Sequence, residues 1–245
     1  METPHLTVVI PAYNEEGRIA PTLARVLAYF EHQPWRGDII VVLDGSTDGT
    51  HHEIARVSGA APHVTVLDNV VNRGKGYSVR RGMLAAQGRY VLFSDADLST
   101  PIEEASRLLT VLEAGADVAI ASRGLAESNV VIHQPWWRES MGRTFNWFVQ
   151  LLTVRGIADT QCGFKCFRGD VAKRVFALQR LDRFAFDVEV LWIAQRLGYR
   201  IVELPITWRN DPSSTVNPVI DSLRMLVDLV RIRMNDWSGR YTRAQ

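Results

Sequence analysis

The sequence predicts an α/β fold in which a doubly wound, mainly parallel sheet is flanked by helices. Two observations support this prediction. Apolar runs alternate with helical patterns through the first half of the chain, which is typical of strands joined by right-handed crossovers. The runs are nearly continuous, as expected for strands buried on both faces. With 245 residues, of which 47% are hydrophobic and 22% charged, the chain can also form a sizeable core.

The elements of the first half follow from the positions of these runs. In chain order they are LTVVIPA, a helix over about residues 16–30, DIIVVLD, a helix after residue 47, VTVLD, a helix through YSVRRGMLAAQ, YVLFSDAD, a helix EEASRLLTVLEAG and the strand DVAIASR. In sheets of this kind, ligands bind beyond the carboxyl ends of the strands. Five polar residues lie at or just past those ends: Asn14, Asp44, Asn69, Asp95 and Arg123.

The second half has a more mixed pattern. It contains a Trp-rich amphipathic segment over 133–154, a short strand QCGFKCF, a helix FDVEVLWIAQRLG, a strand RIVELPITW and a helix over about 218–237. No repeat or linker interrupts the chain. We therefore expect one domain over residues 1–215, with a C-terminal amphipathic helix and tail over 216–245 packed on or beside it.

The bulk composition excludes several classes of protein. A net charge of +1 and a pI near 7.9 provide no basic field, so we expect no nucleic-acid partner. The two cysteines, Cys162 and Cys166, lack the neighbours of a zinc site and predict core packing rather than a disulfide framework. No apolar run approaches the roughly 20 residues of a spanning helix. We expect a cytoplasmic chain, soluble or peripheral on a membrane.

A pair of carboxylates ends the strand YVLFSDADLSTP. Alternation along the strand end would point Asp95 and Asp97 the same way, and two like charges on one side call for a cation. Mg²⁺ prefers one or two carboxylates, with water and substrate phosphates as its other ligands. The alternative is that the segment is a turn and a helix cap before IEEASRLLTVLEAG. The pattern alone leaves both interpretations open.

Three further segments also allow a structural and a functional interpretation. NRGKG places Arg73 and Lys75 between glycines, where the backbone can approach a ligand closely, but it can also be an exposed turn. YNEE can start a helix with favourable acidic residues, and DGSTDGT can be a turn and cap.

Taken together, the motifs resemble a known family. VVIPAYNEE, VVLDGSTDGT, NRGKG, SDADLSTP, ASR and DTQCGFKCF occur in the order and approximate spacing of family-two glycosyltransferases with a GT-A fold. Within that family the chain resembles the polyprenyl- and dolichyl-phosphate sugar synthases, and GIADTQCGFKCF followed by FAFDVEVLWIAQ resembles the glucosyltransferase branch. The resemblance extends from about residue 6 to residue 208.

The resemblance implies a donor site for a nucleotide sugar. Asp95 and Asp97 would hold Mg²⁺ or Mn²⁺ against the diphosphate, with Asp97 as the catalytic direct ligand. The nucleotide-sugar contacts implied are Pro11, Tyr13, Glu15, Asp44, Arg73, Lys75, Asp95 and Arg123. The family pattern normally has two consecutive aspartates where this chain has Leu43 and Asp44, which removes one possible base or ribose contact.

The acceptor decides which further residues the reaction needs. A phosphate monoester has a second pKa of about 6 and attacks without a base, so its site needs cations. The acceptor contacts expected are Arg138, Arg143, Gln161, Lys165 and Arg209, with Lys165 the favoured catalytic phosphate contact. A hydroxyl acceptor would instead need a carboxylate base, for which Asp187 and Glu189 are the candidates.

The expected function is inverting transfer of a hexose to a polyprenyl or dolichyl phosphate at the cytosolic membrane face. UDP-glucose is the favoured donor and GDP-mannose the second. The alternatives are a soluble transferase with a hydroxyl acceptor and a nucleotide-sugar-binding adaptor without activity. Two amphipathic stripes can pack on the core or contact the membrane surface as a partner. They are Trp137, Met141, Phe145, Phe148 and Leu152 in the first, and Val219, Leu223, Leu226, Val230, Met234 and Trp237 in the second.

Overall fold

The sheet of the protein is mainly parallel, as the sequence predicts. A computed structural model describes residues 3–59, 61–132, 136–209 and 218–242. A sheet of seven strands has the order β3-β2-β1-β4-β7-β5-β8, in which β7 is antiparallel to both of its neighbours. The strands are β1 (Leu6–Ala12), β2 (Gly37–Leu43), β3 (Val64–Asp68), β4 (Tyr90–Ser94), β5 (Val118–Ser122), β6 (Asn129–Ile132), β7 (Phe164–Arg168), β8 (Ile201–Pro205) and β9 (Thr207–Arg209).

Helices cover both faces of this sheet. They are α1 (Ile19–Glu31), α2 (Thr50–Ser58), α3 (Lys75–Ala85), α4 (Ala105–Glu113), α5 (Trp136–Leu152), α6 (Gly169–Leu178), α7 (Phe186–Arg196) and α8 (Pro218–Trp237). One core lies between the sheet and residues of α3, α5, α6, α7 and α8, and the other between the sheet and residues of α1, α2 and α4. The doubly wound arrangement is therefore confirmed.

Three details differ from the prediction. The predicted strand RIVELPITW divides after Pro205, and its second part, β9, pairs with β6 in a separate small sheet. Neither β6 nor α6 was expected. The signal for α6 is present in the sequence, because its buried residues recur at helical spacing: Val171, Ala172, Val175, Phe176 and Leu178. β6 has only four residues and gives no comparable periodicity.

The register of the sheet brings several loops to one edge. β1 is parallel to both β2 and β4, so the carboxyl ends of these three strands meet there. β7 runs the other way and pairs Phe164 with Ser94, which brings the chain before β7 to the end of β4. The backbone N–H of Asp95 accordingly donates to the carbonyl of Gly163 at 3.0 Å.

The two cysteines and the long helices complete the fold. Cys162 and Cys166 are unpaired and buried in the core, as expected. α8 packs on α5 and α7. Within the described ranges, no helix combines the length and the apolar character that crossing a membrane requires.

Candidate active site

A cleft of about 390 Å³ opens at the carboxyl ends of β1, β2 and β4. Its walls are formed by the loops after β1, β2, β3 and β4, the first turn of α3 and the loop before α7. The lining residues are Pro11, Ala12, Tyr13, Glu15, Arg18, Asp44, Asn72, Gly74, Lys75, Ser78, Asp95, Ala96, Asp97, Arg183 and Phe184. Six of the eight residues expected to contact a nucleotide sugar are among them, and Asp97 is too.

Asp95 is held between a cation and a glycine. Lys75, at the N-terminus of α3, donates from Nζ to Asp95 Oδ1 at 2.7 Å. On the other side, a Cβ added to Gly163 would lie 1.9 Å from Asp95 Oδ2, so only glycine leaves room for this carboxylate. Burial opposes the charged form of Lys75, but attraction to Asp95 and Asp187 outweighs it and raises the pKa of Lys75.

Asp97 lies in a tight turn beside Asp95. The backbone N–H of Ser99 donates to Asp97 Oδ1 at 2.9 Å, and Leu98 has a φ of 45°. The segment is therefore a turn, without a side-chain cap on the 3₁₀ turn that follows, and the turn places the carboxylate of Asp97 in the cleft. Burial, and next the negative charge of Asp95, raise the pKa of Asp97.

This carboxylate pair fits a divalent cation. Two adjacent carboxylates gain from a positive ion between them, since the charge of Asp95 contributes to the raised pKa of Asp97. One or two carboxylates are what Mg²⁺ takes from protein when phosphates supply the other ligands. Within the described part of the chain, no group of three or more His, Cys, Asp and Glu side chains forms a complete metal site. The pair thus suits an ion that arrives with a phosphate ligand better than a permanently held one.

Asp44 supports the loop that carries Lys75. Its Oδ1 accepts hydrogen bonds from Asn69 Nδ2 at 2.8 Å and from the backbone N–H of Arg73 at 2.9 Å, and its Oδ2 accepts from Gly74 N–H at 2.8 Å. The side chain is buried and touches the cleft wall. Asp44 therefore shapes the NRGKG turn in addition to lining the site.

The YNEE loop is fixed to the loop after β2. Asn14 has a φ of 55°, and its Oδ1 accepts from Thr47 N–H at 2.9 Å. Glu15 forms an ion pair with Arg18 at 2.6 Å, which opposes the rise that burial causes in the pKa of Glu15. These contacts leave Tyr13 41% exposed at the cleft, where its ring can stack on a base.

Two cations predicted for the donor lie outside the lining of the cleft. Arg73 places its guanidinium 4.5 Å over the ring of Tyr77. Arg123 binds Asp159 through two nitrogens, at 2.6 and 2.9 Å, and stacks 5.2 Å over Trp208. Burial disfavours a charged Asp159, but Arg123 outweighs this effect and lowers the pKa of Asp159.

Lys165 differs most from its predicted role. The side chain is 1% exposed, forms an ion pair with Asp187 and donates to the carbonyl of Cys162 at 2.6 Å. The ammonium is thus engaged in a buried pair, and Lys165 is not among the residues that line the cleft. The sequence could not show this, because β7 is inserted between β4 and β5 and its side chains face the core.

The other expected acceptor residues are dispersed. Gln161 is half-buried, with Nε2 3.8 Å from Met225 Sδ. Arg209 is exposed, and its backbone N–H donates to the carbonyl of Ser99 at 2.9 Å, next to the turn of Asp97. The side chains of Arg138 and Arg143 lie outside the described residues.

Both carboxylates considered as catalytic bases already have hydrogen-bonding partners within the protein. Asp187 is paired with Lys165. Glu189 is fully buried and accepts hydrogen bonds from the backbone of Arg180 and Leu181 and from Tyr241 Oη at 2.7 Å. Burial raises the pKa of Glu189 to about 7. Neither carboxylate lines the cleft.

Several lining residues were not foreseen. Arg18 has a sequence signal, since it follows Glu15 by one helical turn. Arg183 and Phe184 have none, because they belong to the short loop before α7 and reach the cleft only through packing of that loop on the NRGKG turn. The carbonyl of Asp182 accepts from Tyr77 N–H at 3.1 Å in this contact.

Residues 7–175 match the family model described as "Glycosyl transferase family 2". This chain belongs to glycosyltransferase family 2. Dolichyl-phosphate beta-glucosyltransferase of Drosophila melanogaster is 37% identical over 240 residues, which cover 93% of this chain and 74% of the relative. The protein of the same name from Dictyostelium discoideum is 34% identical over 241 residues, with coverage of 94% and 74%.

The fold of this family 2 chain also has solved counterparts. Glucosyl-3-phosphoglycerate synthase from Mycobacterium tuberculosis, solved with Mn²⁺, UDP-glucose and phosphoglyceric acid, superposes with a TM-score of 0.63 at 20% identity. The match covers 98% of this chain and 80% of that one. The GT-A fold expected from the motifs is thereby confirmed.

Proposed function

We propose that this chain transfers glucose from UDP-glucose to a polyprenyl phosphate of the dolichyl type, with inversion at the anomeric carbon. The observation that carries the proposal is the cleft that combines Asp95, Asp97 and Lys75 in a chain 34–37% identical to two dolichyl-phosphate beta-glucosyltransferases. GDP-mannose is the second candidate donor, because the cleft itself gives no account of sugar choice.

The donor half of the cleft suits a nucleoside diphosphate. Tyr13 and Pro11 offer an apolar wall for the base, and Glu15 lies next to them. Lys75, at the N-terminus of α3, provides a cation and a helix end for phosphate oxygens. Asp44 holds the loop in which Lys75 lies.

Asp97 and Asp95 would hold Mg²⁺ or Mn²⁺. When bound, this ion would neutralise the negative charge that develops on the leaving diphosphate. Lys75 contacts Asp95 at 2.7 Å, so it already balances part of the charge of the pair. Once the metal ion balances the charge of Asp95, the ammonium of Lys75 would be free to donate a hydrogen bond to the diphosphate.

The acceptor half supports a phosphate rather than a hydroxyl nucleophile. An oxygen of the phosphate dianion would form the bond to the anomeric carbon, and the electrons of the breaking bond would remain on the diphosphate. This step requires no proton transfer, because the dianion carries its charge near pH 7. Both carboxylates that could serve a hydroxyl acceptor, Asp187 and Glu189, are buried and already hydrogen-bonded.

A lipid acceptor also requires contact with a membrane surface. α5 and α8 lie side by side and expose large apolar side chains. These are Trp147 and Leu151 on α5, and Leu223, Val227, Val230, Met234 and Trp237 on α8. The α8 residues recur at helical spacing on one face, which is typical of an interfacial helix. We propose that this apolar strip places the chain at the cytosolic face of a membrane.

The experiment that tests the function is a donor and acceptor panel. UDP-glucose and GDP-mannose would each be incubated with farnesyl phosphate or farnesol and with Mg²⁺, and the lipid products identified by mass. We expect glucosyl farnesyl phosphate as the main product, and loss of activity in EDTA that Mg²⁺ or Mn²⁺ restores. Asp97→Asn should reduce transfer by on the order of a hundredfold, because the ion loses a charged ligand.

Other outcomes would change the proposal. Faster transfer from GDP-mannose would make the chain a mannosyltransferase. Equal glycosylation of farnesol would favour a hydroxyl acceptor. Tight binding of UDP-glucose with turnover on neither acceptor would favour an adaptor.

A further inference from the structure

The loop before α7 brings an arginine into the cleft. Arg183 lines it together with Asp95 and Asp97, and its side chain is exposed. Its Cγ lies 3.5 Å from the position that a Cβ on Gly74 would occupy, so its stem crosses the glycine of the NRGKG turn. The backbone of the same loop is fixed to α3 by the hydrogen bond from Tyr77 to Asp182.

Arg183 differs from the other cations of the cleft, because it forms no ion pair with any carboxylate of the described residues. Arg18 is bound to Glu15 at 2.6 Å and Lys75 to Asp95 at 2.7 Å. Among the residues that the structure describes, Arg183 is the basic side chain of the lining that has no carboxylate within salt-bridge distance. Its guanidinium is therefore available to a ligand.

The carboxylates that line the cleft make an unpaired arginine important for binding a phosphate. Four carboxylates line the site, those of Glu15, Asp44, Asp95 and Asp97, against three cations, so an incoming phosphate gains from a cation that no carboxylate neutralises. A guanidinium presents two parallel N–H donors that match two phosphate oxygens, and such charge-assisted pairs are the stronger hydrogen bonds.

We propose that Arg183 binds the phosphate of the acceptor; this assignment rests on the proposed function. Lys75 already faces the carboxylate pair, on the side where the diphosphate of the donor would bind. Lys165, the cation expected to contact the acceptor, forms an ion pair with Asp187, and Arg123 forms one with Asp159. Phe184, next to Arg183 in the lining, offers an apolar surface to the first carbons of a prenyl chain.

The test compares Arg183→Gln and Arg183→Lys with Arg36→Gln, which changes an exposed arginine just before β2, at the opposite end of that strand from the cleft. Arg183→Gln should raise the KM for farnesyl phosphate about 10- to 100-fold, since a charge-assisted hydrogen bond is lost, while the Kd for UDP with Mn²⁺ changes less than about twofold. Arg183→Lys should have an intermediate KM for farnesyl phosphate, because lysine keeps the positive charge but lacks the two parallel N–H donors of a guanidinium. Arg36→Gln should match the wild type in both constants.

Two results would overturn the assignment. One is an unchanged KM for farnesyl phosphate in Arg183→Gln, and the other is a parallel loss of UDP affinity, which would move Arg183 to the donor. A thermal midpoint equal to that of the wild type would exclude misfolding as the cause of a defect.

Direct binding separates this assignment from the proposed function. If the wild type transfers no sugar, the proposed function fails, and calorimetry of farnesyl phosphate with the UDP- and Mn²⁺-loaded protein still tests Arg183. Loss of that binding in Arg183→Gln but not in Arg36→Gln would support the assignment. Absence of binding to the wild type would overturn it.

Discussion

At the scale of single residues, Gly163 controls the position of Asp95. A methyl group at this residue would overlap Asp95 Oδ2, at 1.9 Å, so Gly163→Ala must displace the carboxylate. We expect transfer to fall by on the order of a hundredfold, as for loss of a metal ligand, with little change in thermal midpoint. Steady-state rates over a Mn²⁺ titration would measure the effect.

The matched control is Gly142→Ala, because a Cβ there meets nothing within 4 Å. That variant should have wild-type activity. Normal turnover and normal Mn²⁺ dependence in Gly163→Ala would show that Asp95 is not positioned by this contact.

The Lys165–Asp187 pair provides a second test at this scale. Asp187→Asn leaves a buried ammonium without its counter-charge, and breaking a buried pair in this way costs about 3–5 kcal/mol of unfolding free energy. The double variant Lys165→Met/Asp187→Leu removes both charges and should recover most of that loss. Urea unfolding measures both.

The double variant also distinguishes structure from catalysis. It should keep appreciable transfer to farnesyl phosphate, because the pair joins β7 to α7 and neither residue lines the cleft. Complete inactivity of a double variant that is folded and stable would instead indicate that Asp187 acts in the reaction.

The same residues show what sequence can predict about the site. Asp95, Asp97 and Lys75 were predicted because they follow strands or glycines in a recognisable order. They line one cleft in the structure, since strand ends converge in a parallel sheet. Lys165 was expected at the acceptor but is buried in an ion pair, and Arg183 was not expected to line the cleft, for one reason. The order in which β7 and the loop before α7 return to the site is a property of tertiary packing, and no local pattern encodes it.

At the scale of elements, Glu189 connects α7 to the end of the chain. It accepts a hydrogen bond from Tyr241, which follows α8, and burial raises its pKa to about 7. Since the folded pKa lies above the usual value of 4.5, the folded state binds the proton more tightly. The stability from this proton is therefore fully present below about pH 4.5 and is lost as the pH rises through about 7.

We expect Glu189→Gln to flatten this dependence. Between pH 5 and pH 7 the free energy of unfolding of the wild type should fall, relative to the variant, by about 1.4 kcal/mol for each pH unit. Urea titrations of both proteins at several pH values would measure the difference. Parallel curves would show that Glu189 is ionised throughout this range.

Most elements were predicted because their apolar runs and helical periods are long. β6 was not predicted, and β9 was not separated from β8. The two strands have only four and three residues, and within the described part of the chain each pairs only with the other. The antiparallel direction of β7 could not be predicted either, because a buried strand gives the same apolar run in both directions.

At the scale of the whole molecule, the two amphipathic stripes behave differently. In α5 the described residues of the predicted stripe face the core, with Phe145 6% exposed, while Trp147 and Leu151 lie outside it. In α8 the exposed face carries Leu223, Val230, Met234 and Trp237 of the predicted stripe. Leu226 of the same stripe packs against the core beside Met225, Leu229 and Ile232. Periodicity identified the apolar stripes, but the side of each helix that packs depends on the surrounding fold.

The exposed strip of α5 and α8 leads to a prediction about the acceptor. Val230→Glu/Met234→Glu places two charges on the strip without touching the core, since both side chains are more than half exposed. If the strip lies in a membrane interface, each apolar methylene contributes about 0.8 kcal/mol there, and vesicle affinity should fall by on the order of tenfold or more. Cosedimentation with vesicles that contain anionic lipid would measure this change.

The activity of the same variant gives the decisive comparison. Transfer to a long polyprenyl phosphate in vesicles should decrease with vesicle binding, whereas transfer to farnesyl phosphate in solution should stay close to that of the wild type, because the cleft is unchanged. His51→Glu/His52→Glu adds two acidic side chains at exposed positions of α2 and should affect neither reaction. If both acceptors lose activity equally in the α8 variant, or if the α2 variant loses vesicle binding to the same extent, the strip does not bring the enzyme to its lipid.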